Sequence, residues 1–205
     1  IFVMGTGIRT STQGIDFVIE RIKQQKEGVH HLIVQELPST PESFIHLDMV
    51  FTMLSREECM VYEPVVFKLN RYKTIYIKID NGKVKINEQP NIPAALKKLG
   101  VDLKPLYCGG RQNSWTQERE QWHSGANFLA LAPGKIMGYE RNVNTMEELN
   151  KNGFEILKAT DVIDHKIDLS AYSKYGIFIA GSELARGGGG ARCMSMPVNR
   201  AEVKW

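Results

Sequence analysis

The sequence predicts an α/β protein built from repeated hairpin, helix and strand units. Two observations predict it. Three stretches with helical apolar spacing each end near a glycine and run into an apolar strand. Between them lie stretches that read as apolar strand, polar turn, apolar strand. The repeat lengths differ too much for a solenoid.

The opening "IFVMGTG" reads as a strand entered midway. It has no basic n-region and is too short for a signal peptide. With no initiator Met, the chain is expected to be a fragment or a processed form. In "STQGIDFVIERIKQQKEGVHHLIVQEL", Ile15, Val18, Ile19 and Ile22 share a helical face. Ser11 or Thr12 can cap its start, Gly28 fits the left-handed C-terminal cap, and a strand follows. "HLDMVFTMLSREECMVYEP" reads as a strand, a turn and a strand. "IKIDNGKVKINEQ" reads as an exposed hairpin around Asn81-Gly82.

"NIPAALKKLGVDLKPLYC" repeats the helix-to-strand pattern, with Pro93 near the helix start and Gly100 past its end. "GANFLALAPGKIMGYERN" is a second hairpin turning at Pro133-Gly134. In "TMEELNKNGFEILKA", Thr145 and Glu148 are spaced as a capping box and Gly153 ends the helix. "CMSMPV" reads as a packed strand.

At 205 residues the chain is long enough for one sizeable domain or two small ones. Hydrophobic residues are 42% and charged residues 24%, which places it among soluble globular proteins. The net charge of +3 comes from interspersed cations and anions with no basic block, so no nucleic-acid partner is expected. No apolar run reaches the roughly 18 residues of a transmembrane helix, so no membrane partner is expected. Cys59, Cys108 and Cys193 are few, odd in number and far apart. That argues against a disulfide framework and a zinc site, and for a reducing cytoplasm.

Four consecutive glycines, Gly187 to Gly190, run into Cys193 in "ARGGGGARCMSMPVNR". A free cysteine is most often a small buried apolar residue. A glycine run allows close backbone and substrate approach, and Arg192 can favour the thiolate. A nucleophilic cysteine needs a proton relay, usually histidine. His30 and His31 begin a strand and point to opposite faces, His165 lies in polar "DHKID", and His123 reads equally as packing. His46 precedes Asp48 by two residues in "FIHLDMVF", and strand alternation puts both on one face. Such a pair is either an ion pair under a loop or a base with a substrate-binding acid. Arg9 lies between a strand and a helix start, a setting for a carboxylate or phosphate; "GTGIRT" lacks the ending of a P-loop.

With these residues in view, the chain resembles the arginine deiminases of the guanidine-modifying enzyme (pentein) superfamily. "HLD", "EREQW", "GAN", "LAPG" and the closing "ARCMSMPVNRAEVKW" occur in the family's order, from one end of the chain to the other. The ending resembles the family's natural C-terminus. The resemblance implies a propeller of five ββαβ modules, of which residues 1–205 would be about the last three, part of a single catalytic domain. It implies that Cys193 attacks the guanidinium carbon of L-arginine to give a covalent S-alkylthiouronium. His46 would pass protons, Asp48 would hold guanidinium nitrogens, and Arg9 would bind the substrate carboxylate. The loop of Gly187 and Gly188 would close over the substrate. Some members place a second substrate-binding arginine where Gly188 stands, with Arg186 the substitute here.

The family also uses a second aspartate and a catalytic glutamate from an N-terminal half. The 205 residues alone are therefore expected to be inactive, with that half as their partner. A homo-oligomer is left open, and no metal or organic cofactor is expected. An amidinotransferase or dimethylarginine-type hydrolase is the neighbouring alternative. A non-catalytic, truncated binding domain is the other.

Overall fold

The computed structural model describes residues 1–25 and 28–199. The last residues of the closing motif, 200–205, lie outside the described residues.

Helix α1 (Thr12–Lys23) is capped by Ser11, whose hydroxyl accepts from the Gly14 amide. Its buried face, Ile15, Ile19 and Ile22, packs on Leu32 and Val34 of strand β2 (Val29–Glu36) and on Ile77 and Ile79 of β5 (Thr74–Asp80). Each such isoleucine contributes about 1.5–3 kcal/mol on burial. Strand β1 (Phe2–Thr6) lies parallel to β2, as expected of a strand–helix–strand crossover. Gly28 has φ +86°, but the cap of α1 is Gln24, so Gly28 leads into β2 instead of ending the helix. Strands β5 and β6 (Lys83–Gln89) form the hairpin expected at Asn81-Gly82, where both turn residues have positive φ (48° and 79°).

Strands β3 (Phe51–Met53) and β4 (Glu58–Val61) pair antiparallel, and β4 pairs parallel with β7 (Lys104–Tyr107). Between β4 and β7 the chain also makes the short helix α2 (Glu63–Val66) and helix α3 (Ile92–Lys97), capped by Asn91. Every residue of β4 is buried because both its faces are covered. Cys59 and Val61 face a core with Ile33, Ile92 and Leu96, while Met60 faces a core with Phe128, Ile136 and Leu149.

The third sheet runs β10 (Glu155–Lys158), β11 (Tyr175–Ile179), β9 (Lys135–Tyr139), β8 (Leu129–Ala132). Strands β8 and β9 form the Pro133-Gly134 hairpin, and β9, β11 and β10 are parallel. Helices α5 (Val143–Lys151) and α6 (Ala159–Ile163) connect them. The described residues form a mixed α/β architecture of three sheets in the order β1-β2-β5-β6, β3-β4-β7 and β10-β11-β9-β8. Strands β1, β3 and β8 each lie at the edge of their sheet.

Three further expectations need correction. The His46–Asp48 segment is not a strand. It folds as two 3-10 turns, Glu42–Phe44 and Leu47–Met49, because the Met49 amide bonds back to the His46 carbonyl at 3.1 Å. The capping box of Thr145 and Glu148 does not form, since α5 is capped from outside by Glu120 of helix α4 (Ser114–Trp122). The Glu120 carboxylate accepts from the Thr145 amide (2.8 Å) and hydroxyl (2.7 Å) and from the Asn144 amide (3.0 Å) and side chain (2.7 Å). A buried carboxylate at a helix N-terminus is favoured by the macrodipole and by free amides. Finally, "CMSMPV" is not a packed strand: after the turn at residues 191–194 the chain is irregular, and Met196 and Val198 are exposed.

Candidate active site

The chain brings Cys193, His46 and Asp48 together. A side-chain donor atom from each lies within 4.8 Å of the others. The Cys193 Sγ is 3.8 Å from Asp48 Oδ2. Cys193 is exposed, whereas Cys59 and Cys108 are buried. Burial, then the charge of Glu58, pushes the Cys59 thiol up to about 12. Burial, then Glu120, pushes Cys108 up as well. Both are inert as nucleophiles, so among the three thiols Cys193 is the accessible one.

Two anchors set the histidine and aspartate. The Gln121 side chain on α4 donates to the Ser43 and Met49 carbonyls (2.9 and 3.2 Å) and accepts from the Ser43 hydroxyl at 2.9 Å. It therefore clamps both ends of the segment that holds His46 and Asp48. On the other side, Gly5 of β1 lies against this segment, with room for a Cβ only 3.2 Å from the Leu47 Cβ. Among the described residues, Asp48 Oδ1 is buried and has no hydrogen-bond partner. A carboxylate oxygen in that state is costly unless a donor reaches it. Arg192 stands beside it, its Nε 3.8 Å from Oδ2.

The glycine run curves around the thiol. Gly188 adopts φ 82° and ψ 143°, a conformation essentially confined to glycine. Here an arginine at this position would be strained. A Cβ on Gly189 (φ +87°) would lie 2.7 Å from the Cys193 Cβ, and one on Gly190 would lie 2.5 Å from Asn127 Oδ1. The glycines that touch the thiol machinery are thus Gly189 and Gly190, while Gly187 and Gly188 have open space around them.

A cavity of about 600 Å³ opens beside this cluster, and Cys193 itself is not among its lining residues. Val3 of β1, Phe51 and Thr52 of β3, and Leu129 of β8 contribute to its wall, so one edge strand from each sheet meets there. His46, Asp48 and Arg192 line it as well. Arg9 lies in the exposed 7–10 loop after β1, and Arg186 is exposed and paired with Glu183 at 3.0 Å. Neither is among the residues lining the cavity. The sulfur, nitrogen and oxygen of the cluster are metal-type donors, but three mixed donors at this spread do not by themselves define an ion site. Sequence reasoning missed Gln121 and Asn127, since both are buried amides whose hydrogen-bond partners lie far away in the chain. Their positions in "EREQW" and "GAN" were the available signal.

The fold and cluster define a mixed α/β protein with an accessible thiol grouped with an imidazole and a carboxylate that line a cavity. The chain belongs to the arginine deiminase family, whose model matches residues 1–200. It is 32% identical over 205 residues to the arginine deiminases of Streptococcus pneumoniae strains Hungary19A-6 and CGSP14. Those alignments cover 99% of this chain and 44% of each relative, so the chain spans less than half their length. Among solved structures it is similar to the N-terminal domain of a variant of ArgZ covalently bound to a reaction intermediate. There the TM-score is 0.49 at 14% identity, covering 93% of this chain and 48% of that one. Among the described residues, no helix is long and apolar enough to cross a membrane.

Proposed function

We propose that the chain is the nucleophile-bearing part of a hydrolase that converts L-arginine to L-citrulline and ammonia in the cytoplasm. The observation that carries this reading is the meeting of the Cys193, His46 and Asp48 side chains, two of which line a cavity, with Asp48 Oδ1 buried and unpartnered among the described residues. A guanidinium N–H is the kind of donor that oxygen lacks, and a carboxylate matches it in a charge-assisted pair. The Cys193 thiolate adds to the guanidinium carbon, forming a C–S bond as the C=N electron pair moves to nitrogen. His46 delivers a proton to one nitrogen, which leaves as ammonia and gives the S-alkylthiouronium. His46 then takes a proton from water as its oxygen adds to the same carbon. Expulsion of the thiolate leaves the ureido group of citrulline.

The convergence of one edge strand from each sheet on the cavity supports a radial arrangement. We read the chain as about three ββαβ modules of a five-module propeller, the C-terminal part of a single catalytic domain. The second aspartate and the glutamate that complete such a site come, by family resemblance, from an N-terminal half. The 205 residues alone are accordingly inactive toward arginine. Arg9, Gly187, Gly188 and Arg186 are assigned to the substrate, and each would reach it by movement of its loop.

Citrulline formation in the intact protein tests this. Cys193→Ser should lower it by about 10³-fold or more, and His46→Ala by about 10²–10⁴-fold. Near-normal turnover by Cys193→Ser refutes the nucleophile. Amidino transfer to an amine, or preference for dimethylarginine, would point to the neighbouring activities. Unselective, slow labelling of Cys193 by a haloacetamidine would point to a binding-only domain.

A further inference from the structure

We infer that Asn127 is the residue that readies Cys193: one end of its amide holds the nucleophile loop and the other donates a hydrogen bond to the thiolate. The inference rests on the reading of Cys193 as the nucleophile. Asn127 is 1% exposed, and its Oδ1 accepts from the Arg192 backbone amide at 3.1 Å. An amide N–H can only donate, so the oxygen must face it and Nδ2 must face the sulfur. Nδ2 is 3.2 Å from the Cys193 Sγ.

The base of this contact is closely packed. Helix α4 ends in a turn where Ser124 has φ +60° and the Asn127 amide bonds to the Ser124 carbonyl at 3.0 Å. At Gly125 a Cβ would meet the Cys108 Sγ and the Glu120 carbonyl, each at 2.8 Å. Gly190 then lets the loop lie directly on the Asn127 side chain. The helix that clamps His46 and Asp48 through Gln121 thus also presents the residue that sets Cys193.

The charges around the sulfur oppose each other. Asp48 Oδ2 is 3.8 Å away, so a protonated thiol can donate to it, whereas a thiolate is repelled by it. His46 is within the same cluster, and Arg192 is the preceding residue. Tyr139 bonds the loop at the Gly189 carbonyl and the Met194 Sδ, both at 3.4 Å, and its phenol is raised by burial and then by the charge of Cys193. Against Asp48, the Asn127 amide is a short, directed donor that favours the anion.

Asn127→Asp keeps an oxygen for the Arg192 amide and replaces the donor with a second carboxylate. The assay is the pH profile of Cys193 alkylation by iodoacetamide in the intact protein. The S–C bond forms as iodide leaves, read by the mass of the Cys193 peptide with Cys193→Ser as the blank. The alkylation midpoint should rise by about one pH unit or more, and the rate at pH 7 should fall about ten-fold. Asn127→Ser, smaller and uncharged, should shift the midpoint in the same direction and serves if the aspartate variant does not fold. A purely structural role predicts an unmoved midpoint in the folded variants, and that result overturns the inference. The assay contains no arginine, so a failure to form citrulline sinks the functional reading without touching this one.

Discussion

Alanine substituted in turn at Gly187, Gly188, Gly189 and Gly190 should produce a graded response fixed by position, although the four residues look identical in sequence. At Gly187 a Cβ meets nothing within 4 Å, and the substitution should leave stability unchanged or raised by up to about 1 kcal/mol through the unfolded chain. At Gly188 space is open but the backbone, at φ 82° and ψ 143°, strains any other residue by about 1–3 kcal/mol. At Gly190 the new carbon would sit 2.5 Å from Asn127 Oδ1 and 2.7 Å from its Cβ. Asn127 is buried and its Cβ cannot swing aside, so the overpacking should cost about 1–3 kcal/mol. Gly189 combines positive φ with a 2.7 Å clash against the Cys193 Cβ and should suffer most. For a chain of this size each kcal/mol lowers Tm by about 2–4 °C. Thermal unfolding and the rate of Cys193 alkylation, measured together, check the order. Equal behaviour of Gly187→Ala and Gly190→Ala would refute the claim that the run exists to let the loop touch Asn127 and Cys193.

Two further outcomes follow from the same packing. Gln121→Ala removes three hydrogen bonds to Ser43 and Met49, leaving the buried Met49 carbonyl unpaired at about 1–3 kcal/mol and the half-buried Ser43 groups without their partner. It should lower citrulline formation more than Cys193 alkylation, because it frees the His46–Asp48 segment and not the thiol; equal losses would contradict this. At high pH, Cys59 is held protonated in the folded state up to about 12, so its stabilising effect is complete below the thiol's ordinary range and disappears as pH climbs through the folded value. Stability should therefore fall steadily from about pH 8.5 toward 12. Cys59→Ala, compared by urea unfolding across that window, should flatten part of the decline, and an unchanged slope would remove Cys59 as a cause.

The parts of the fold legible in the sequence were those whose signal is local. The isoleucines of α1, Asn81-Gly82, Pro133-Gly134 and the left-handed Gly100 and Gly153 each carry their own conformational reason, and each forms what its pattern predicts. The illegible parts are polar residues whose partners are far away in sequence. Helix α4 buries Gln117, Glu120 and Gln121, so it has no apolar stripe for a periodicity to find. Thr145 and Glu148 are spaced as a capping box, yet Glu120 takes the Thr145 amide, and that of Asn144, with a carboxylate already buried. The apolar letters around His46 and Asp48 suggest a strand, but Gln121 pins Ser43 and Met49 in a geometry that only turns satisfy.

The buried polar residues of α4 explain why the candidate site and the architecture are hard to separate. Glu120 fixes the start of α5, Gln121 fixes the loop of His46 and Asp48, and the turn that ends the helix delivers Asn127 to Cys193. The groups proposed to do chemistry come from segments 145 residues apart, and each lacks regular structure strong enough to hold it alone. A helix whose buried face is made of amides and a carboxylate gives up hydrophobic burial but gains directed bonds to irregular backbone, which an apolar face cannot make. Such bonds specify where a loop sits to within a hydrogen-bond length, the tolerance that proton transfer and thiolate attack demand. Motifs such as "EREQW" and "GAN" therefore matter through the distances they impose on residues elsewhere in the chain.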